Sequence, residues 1–521
     1  MIDVLVVGSG AAGLSVALEA KKKNKNVVII SKTYPTASQT SQAQGGINAV
    51  LDNNKDSIQN HIDDTLRSAH NLADKETVEF MCKTAKDTIK WLDNLGVPFS
   101  RDNSNNIAQR QLGGAKYPRA CYSSDYTGLK ILHTLYDSCI KEGIKFINEQ
   151  MLLELLVDDD TIKGIVALDI KTSQVIQYEA KSVVLATGGY SGVYHNYTTN
   201  STATTGDGIA SALYANIPLV NMEYIQFHPT ALKDSKVLVS ESARGEGGYL
   251  ITQDNKRFVN ELKPRDEVSR AIYNQLQKGE EVYLDLRHLG KEKILEVMPQ
   301  EYDIVSQFAS LSLDKDLIPV QPISHYTMGG IKVDKEGKTT IKNLYAVGEC
   351  SANNTHGANR LGGNSLLEVV TFGRYIGKNI SYDGEFINTT DKTAIWQQTI
   401  EEIYNKDTKV SFYSYKTKLG KIMYDYVGLY RDEKNLLIAL EKIKEIKNEL
   451  PNMGITTKDK TYNTELKEFL EFKNIVDLAI CIVVSALERK ESRGAHYRVD
   501  YKNEDIKYQK NIIITKDILD V

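Results

Sequence analysis

The apolar positions first gather in "DVLVVGSGAAGLSVALEAKKKNKNVVIISK". An unbroken apolar run is cut by glycines, resumes at helical spacing and closes on a second run, Val27–Ser31. Unbroken runs of this length predict strands buried on both faces, and the spaced segment between them predicts a helix. Two later segments repeat the strand-then-glycine order: "AKSVVLATGGYSGVY" runs into Gly188-Gly189 and "IKNLYAVGECSANN" into Gly348-Glu349. From about residue 390 the pattern changes to Lys/Glu-rich helices. In "RDEKNLLIALEKIKEIKNEL" the residues Leu436, Leu437, Leu440 and Ile443 are assigned to one helical face. There is no internal repeat and no low-complexity segment.

Composition narrows the classes. The 521 residues suffice for several domains and a large core, and 41% hydrophobic with 25% charged residues is ordinary for a globular protein. A net charge of -4 gives no nucleic-acid surface. "MIDVLVVGSG" has no basic region ahead of a short apolar run, so neither a secretory signal nor direct membrane insertion is expected, and the expected address is the cytoplasm. Five cysteines, Cys82, Cys121, Cys139, Cys350 and Cys481, are scattered without a C-x-x-C pair, which argues against a disulfide framework or a metal or iron–sulfur site within the chain.

Gly8, Gly10 and Gly13 form G-x-G-x-x-G after a strand and before a helix. The first glycine allows the turn, the second lets backbone approach a pyrophosphate, and the third permits close helix–strand packing. The second strand ends in Ser31-Lys32 rather than Asp or Glu, so the usual carboxylate grip on an adenosine ribose is missing and the cofactor stays open at this point. Two-part dinucleotide folds that bind FAD bring their last strand back from far along the chain. The expected fold class is therefore α/β: a discontinuous Rossmann-like FAD-binding domain over 1 to about 225 and about 340 to 385, an inserted α+β capping domain over about 226 to 339, and a C-terminal helical domain over 390 to 521.

"THGANRLGGNSLLE" sets Arg360 among glycines in a chain with 15 Arg against 49 Lys. Arginine there suits bidentate recognition of a carboxylate or phosphate, although a surface arginine before a helix is the plain alternative. The cap region holds His228 in "MEYIQFHPTAL", Glu241, Arg244 and Glu246 in "SESARGEGGYL", Arg265 in "KPRDEVSR" and His325 in "PISHYTMGGI". Singly, each reads as a satisfied core histidine, a turn or a helix start. Together they sit beside one predicted cap–cofactor junction, where a small dicarboxylate needs cations to offset its desolvation.

These blocks, with "SQAQGGI", "CKTA", "YTTNSTATTGDGIA", "LDLRHLG", "YAVGEC" and "ESRGAHYR", resemble the fumarate reductase and succinate dehydrogenase flavoprotein subunit family, of which L-aspartate oxidase is a close relative. The resemblance runs from residue 1 to about 500. It implies that Arg360, His228, His325 and Ser240 bind a C4 dicarboxylate, fumarate or succinate. It implies that Arg265 donates the proton, replenished through Glu241 and Arg244. An isolated arginine, with a pKa above about 12, is a poor acid and needs such a relay. FAD is implied to rest on Gly8, Gly10, Ala11, Ala12, Gly13, Ser31, Lys32, Gln39, Thr40, Gln44, Gly45, Gly46, Ala186, Thr187, Gly188, Asp207, Gly348, Glu349, Asn364, Ser365 and Leu366.

The chain departs from the family pattern in several places. Gln39, in "SQT", stands where respiratory members carry the histidine bonded to FAD, so non-covalent FAD is expected, which favours the fumarate-reducing or oxidase direction. Ala243 precedes Arg244 where some fumarate reductases have cysteine, with little expected effect on mechanism. The chain stops about 20 residues after "RGAHYRVDY", which weakens the implied docking to an iron–sulfur subunit and, through it, to the inner face of a membrane. In "QRQLGGAKYPRAC" Leu112 stands where the oxidase has a glutamate facing the substrate ammonium. A leucine cannot pair with an ammonium, so fumarate reductase is preferred, with L-aspartate oxidase as the alternative and a catalytically inactive flavin-binding electron-transfer protein as a third reading.

Overall fold

Ile2–Val7 lies parallel to Val27–Ser31 on one side and to Gln174–Leu185 on the other, with Val4, Leu5, Val6 and Val7 all buried. A strand flanked and covered in this way has no wet face, which is why its sequence shows no alternation. This is a computed structural model; it describes residues 1–382, 389–408 and 410–520, and the boundary expected at residue 385 lies outside the described residues. The main sheet runs Lys145–Asn148, Val27–Ser31, Ile2–Val7, Gln174–Leu185, Thr161–Asp169 and Gln150–Asp158. Gln174–Leu185 changes partner along its length. It pairs antiparallel with Thr161–Asp169 up to Glu179 and parallel with Ile2–Val7 from Ala180 onward. Leu344–Ala346 returns to pair parallel with Val183–Leu185, so both of the later strand-then-glycine segments end at the same sheet edge as the first.

The glycine fingerprint acts sterically. Gly8 has φ +115°, and a Cβ there would lie 2.2 Å from the Ala186 carbonyl oxygen. A Cβ on Gly13 would lie 2.1 Å from the Gly8 oxygen, so helix Ala11–Lys21 can sit this close to its strand only without one. That helix is buried from Ala11 to Ala20 and packs against helix Asn364–Asn379, so it too lacks a polar face.

Ile225–Leu232, Ile318–Thr327, Val282–Asp285 and Tyr249–Thr252 form a separate antiparallel sheet in that order. Helix Arg265–Gln277 packs on Ile225–Leu232, and Val239, Leu250, Val268, Ile272, Leu284 and Ile318 make a core of their own. The C-terminal helices include Glu433–Glu449 and Thr464–Glu488. The first corrects the sequence reading: its fully buried face is Leu436, Ala439, Ile443 and Ile446, while Leu437 is 52% exposed. One residue is about 100° of rotation, so Leu437 cannot share a face with Leu436. Among the described residues no helix is long and apolar enough to cross a membrane.

Candidate active site

Among the described residues a cavity of about 1660 Å³, its open mouth included, is lined by residues from both the main sheet and the antiparallel sheet. One end is lined by Gly8, Gly10, Ala11, Ala12, Ser31, Lys32, Gln39, Thr40, Gln44, Gly45, Gly46, Ala186, Thr187, Gly188, Asp207, Gly348, Glu349, Ser365 and Leu366. The other end is lined by Leu112, His228, Ser240, Glu241, Arg265, His325 and Arg360. Four residues named from the sequence do not face it. Glu246 lies 3.8 Å from Arg110 instead. Gly13 serves helix packing. Arg244 lies behind Glu241. The Asn364 side chain donates to Thr65 Oγ1 at 2.9 Å and accepts from Asn48 Nδ2 at 2.8 Å, and His61 Nε2 lies 3.0 Å from its oxygen.

The first end fits FAD. Helices Ala11–Lys21 and Asn364–Asn379 both begin after a glycine, with no acidic residue in the first turn; the Ala11 amide donates to Thr40 Oγ1 at 3.2 Å and the Asn364 amide to the Leu361 carbonyl at 3.2 Å. The amides that follow in each first turn, and the helix dipoles, favour an anionic or electron-rich group such as a pyrophosphate. Ser38 Oγ, Gln44 Oε1 and Thr187 Oγ1 are buried on the cavity wall and have no hydrogen-bond partner among the described residues, as expected of a wall built for a polar ligand. Lys32 donates to Asp207 at 2.6 Å and to Thr205 Oγ1 at 2.7 Å, and lies 2.7 Å from Glu471. Those two carboxylates hold its ammonium well above the ordinary lysine range in spite of burial. Gln39 Oε1 accepts from the Ser201 amide at 2.9 Å, and its Nε2 donates to Gln42 at 3.1 Å. Burial raises the Glu349 carboxyl to about 7, against the opposing effect of Thr327, whose amide and hydroxyl it accepts at 3.0 and 3.2 Å.

At the second end Arg265 donates twice to Glu241 Oε2, from Nη2 at 2.6 Å and Nε at 3.1 Å. Arg244 Nη2 lies 3.6 Å from Glu241 Oε1, and its Nη1 donates to the Glu261 carbonyl at 2.7 Å. Burial alone would raise the Glu241 carboxyl, but Arg265 and Arg244 hold it below its ordinary value. Two glycines make room for it: a Cβ on Gly113 would lie 2.5 Å from Glu241 Oε1, and one on Gly362 would lie 2.4 Å from Oε2. Burial brings Arg244 down to about 10, and burial with the neighbouring Arg265 brings Arg360 down to about 10. The Arg360 guanidinium stacks 4.2 Å from the Tyr326 ring centre.

The His228 and His325 rings meet edge to face at 4.9 Å. Burial, reinforced by Arg265, holds both well below the ordinary histidine range, so they act as neutral imidazoles. His325 Nδ1 lies 2.7 Å from Thr199 Oγ1, and His228 Nδ1 lies within 3.3 Å of the Thr230 amide. Ser240 Oγ accepts from the Ser242 amide at 3.1 Å and hydroxyl at 2.8 Å, which leaves its own O–H free to donate. The sequence reading missed Gln226, which lies behind the cavity wall between the two arginines. It sits in the quoted "MEYIQFHPTAL" two residues before His228, but a glutamine in a strand gives no signal until its partners are known.

The chain matches a family model described as FAD binding domain over residues 3–366 and one described as Fumarate reductase flavoprotein C-term over residues 416–518. It is 39% identical to the 8-methylmenaquinol:fumarate reductase flavoprotein subunit of Wolinella succinogenes, covering 99% of this chain and 88% of that protein. It is 34% identical to the Escherichia coli fumarate reductase flavoprotein subunit (99% and 92% covered) and 37% identical to the Rickettsia conorii succinate dehydrogenase flavoprotein subunit (96% and 91% covered). Among solved structures, a quinol-fumarate reductase with menaquinol molecules superposes with TM-score 0.93 at 34% identity, covering 98% of this chain and 95% of that one. Mycobacterium smegmatis Sdh1 in complex with UQ1 gives 0.86 at 32%, covering 99% and 94%. A cavity suited to FAD, ending in buried arginines and neutral histidines, thus lies in a chain that belongs to the fumarate reductase and succinate dehydrogenase flavoprotein subunit family, and FAD is its cofactor.

Proposed function

We propose that this chain interconverts fumarate and succinate, working as the flavoprotein subunit of a fumarate reductase. The observation that carries the reading is the second end of the cavity. Two buried arginines and two neutral histidines converge there, and Leu112 forms part of the wall. The cations offset the desolvation of a dicarboxylate, while Leu112 offers no carboxylate to an ammonium at its position and Glu241 is already engaged by Arg265.

FAD, when bound, supplies hydride exchange at its N5. Arg360 holds a substrate carboxylate, and His228, His325 and the Ser240 hydroxyl each offer a donor to the carboxylate oxygens. Arg265 delivers a proton to the alkene carbon that does not receive hydride. Glu241, in direct contact with Arg265, returns a proton to it, and Arg244 behind Glu241 resupplies the carboxylate. Glu241 is the shared group of the relay, hydrogen-bonded to Arg265 and 3.6 Å from Arg244 Nη2. FAD is held by the two helix N-termini and by Gln44, Thr187, Asp207 and Glu349, and Gln39 offers amide contacts in place of a covalent link.

The relatives are named as flavoprotein subunits, which supports an iron–sulfur electron-transfer partner and, through it, a place at the periphery of a membrane. The decisive experiment has an anaerobic arm and an aerobic one. Without oxygen, the FAD-loaded protein is expected to reduce fumarate with reduced viologen as donor. Ready peroxide formation from L-aspartate in air, with only trace fumarate reduction in the anaerobic arm, would overturn the assignment in favour of the oxidase.

A further inference from the structure

Behind the wall of the second end, three buried side chains that do not line the cavity form a chain of hydrogen bonds: Asp266, Asn359 and Gln226. Asn359 Nδ2 donates to Asp266 Oδ1 at 3.0 Å. Gln226 Nε2 donates to Asn359 Oδ1 at 2.8 Å and to the Arg360 carbonyl at 2.8 Å. Gln226 Oε1 then accepts from Arg265 Nη1 at 3.1 Å and from Arg360 Nη2 at 3.0 Å.

We propose that Asp266, Asn359 and Gln226 are positioning residues for the two active-site arginines, with the carboxylate fixing the direction in which both amides point. The inference rests on the roles proposed for Arg265 and Arg360 and extends them.

An amide has a donor end and an acceptor end of nearly equal shape, so a buried amide is held in one orientation only by its partners. A carboxylate can only accept. Asp266 therefore forces Asn359 to present its nitrogen toward it and its oxygen toward Gln226. That oxygen forces Gln226 to present its nitrogen inward and its oxygen to the guanidinium groups. Turning Gln226 over would set its NH₂ against two cations and its oxygen against the Asn359 oxygen and the Arg360 carbonyl. The cost of several unmet buried groups excludes that state.

The anchor is secure because Asp266 stays ionised. Burial pushes its carboxyl up, but Arg270, donating at 2.6 Å, and His70, with Nε2 at 3.7 Å, bring it down to about 2. His70 is in turn 2.7 Å from Glu504, which with Asp266 raises the His70 pKa in spite of burial. Asn359 Nδ2 also lies 3.5 Å from Ser68 Oγ, a hydroxyl that titrates nowhere in this range. Asp266 directly follows Arg265 at the start of helix Arg265–Gln277, and Asn359 directly precedes Arg360, so the chain ties together the two backbone segments that carry the arginines.

Asn359→Asp gives a test that simple destabilisation does not imitate. A protonated Asp at 359 keeps the pattern, an O–H toward Asp266 and a C=O toward Gln226. An ionised one sets two carboxylates against each other and releases the anchor. The variant is expected to keep its FAD, to lose at least about tenfold in fumarate turnover at neutral pH, and to regain activity relative to the wild type as pH falls. Asp266→Asn, which keeps the shape but can present either end of its amide, is expected to lose turnover and to weaken succinate binding with no recovery in acid. Flavin absorbance reports loading and the succinate dissociation constant, and viologen oxidation reports turnover. Should Asn359→Asp fail to load FAD, Asp266→Asn decides the matter.

Wild-type protein inactive toward fumarate would sink the proposed function. An active wild type with Asn359→Asp at a constant activity ratio across pH, or Asp266→Asn equal to wild type in turnover and binding, would overturn the positioning role alone.

Discussion

Arg265 and Arg360 share one acceptor, Gln226 Oε1, at 3.1 and 3.0 Å. Two guanidinium groups that meet on a neutral oxygen keep most of their charge for something else, and among the described residues only Arg265 of the two is paired directly with a carboxylate, Glu241. They are therefore expected to fail differently. Arg360→Ala removes a carboxylate clamp present in ground and transition states and should cost on the order of 3 kcal/mol in succinate binding as well as lowering the rate. Arg265→Lys keeps the charge but not the fork toward Glu241 and Gln226, so turnover should fall far more than affinity. Titration of the oxidised protein with succinate and single-turnover fumarate reduction separate the two. Near wild-type turnover in Arg265→Lys would move the proton donor elsewhere.

Glu241 is held in a slot two glycines wide. Gly113→Ala would drive a methyl group to within 2.5 Å of its carboxylate, displacing it from Arg265 or Arg244. The expected result is FAD content equal to wild type with a turnover loss of about tenfold or more, since misplacement by an ångström at a reacting centre costs up to about a hundredfold. Unchanged turnover would show that proton return does not need this carboxylate geometry.

Gln39 contacts the Ser201 amide and Gln42 and offers no imidazole to the cofactor. Acid precipitation should release all flavin colour into the supernatant. Flavin retained in the pellet would show that another side chain makes a covalent link.

Glu301 is buried, accepting the Ser240 amide at 2.8 Å while its own amide donates to Asp125. Burial, and then the nearby Asp125, raise its carboxyl to about 8. The folded state thus holds a proton that the unfolded chain gives up near its ordinary 4.5. Stability falls as pH rises from about 4.5 toward 8, where the native carboxylate must ionise in place. Glu301→Gln keeps an acceptor for Ser240 and removes the ionisation. It should raise thermal stability by on the order of 1–3 kcal/mol at pH 8 and by much less at pH 5. An equal effect at both pH values would refute this account.

Local signals carried the sequence reading a long way, and non-local ones limited it. The strand, turn, helix and strand of the first thirty-odd residues were legible because their burial is continuous and their glycines are sterically forced, as Gly8 and Gly13 show. Leu437 was misassigned because adjacent leucines fit a helical stripe equally well until packing picks one. Lys32 was visible as a missing carboxylate and, through the family resemblance, as a cofactor contact, but not as an ion pair; its counter-ions Asp207 and Glu471 come from distant segments. Gln226 lay in plain view, yet its meaning depends on Asn359 and two arginines brought together by the fold.

The Lys32 ion pairs tie the making of the holoprotein to completion of its chain. Lys32 lies on the cofactor cavity near the N-terminus, while Glu471 comes from helix Thr464–Glu488. A nascent chain that has not yet produced that helix leaves Lys32 paired with Asp207 alone, without Glu471 and without the Asn474 amide that donates to Asp207 at 3.1 Å. Flavin uptake then becomes a reporter of C-terminal folding. By the same coupling, excess FAD should protect the C-terminal helices from proteolysis, although none of the residues implied to hold the cofactor lies beyond Leu366.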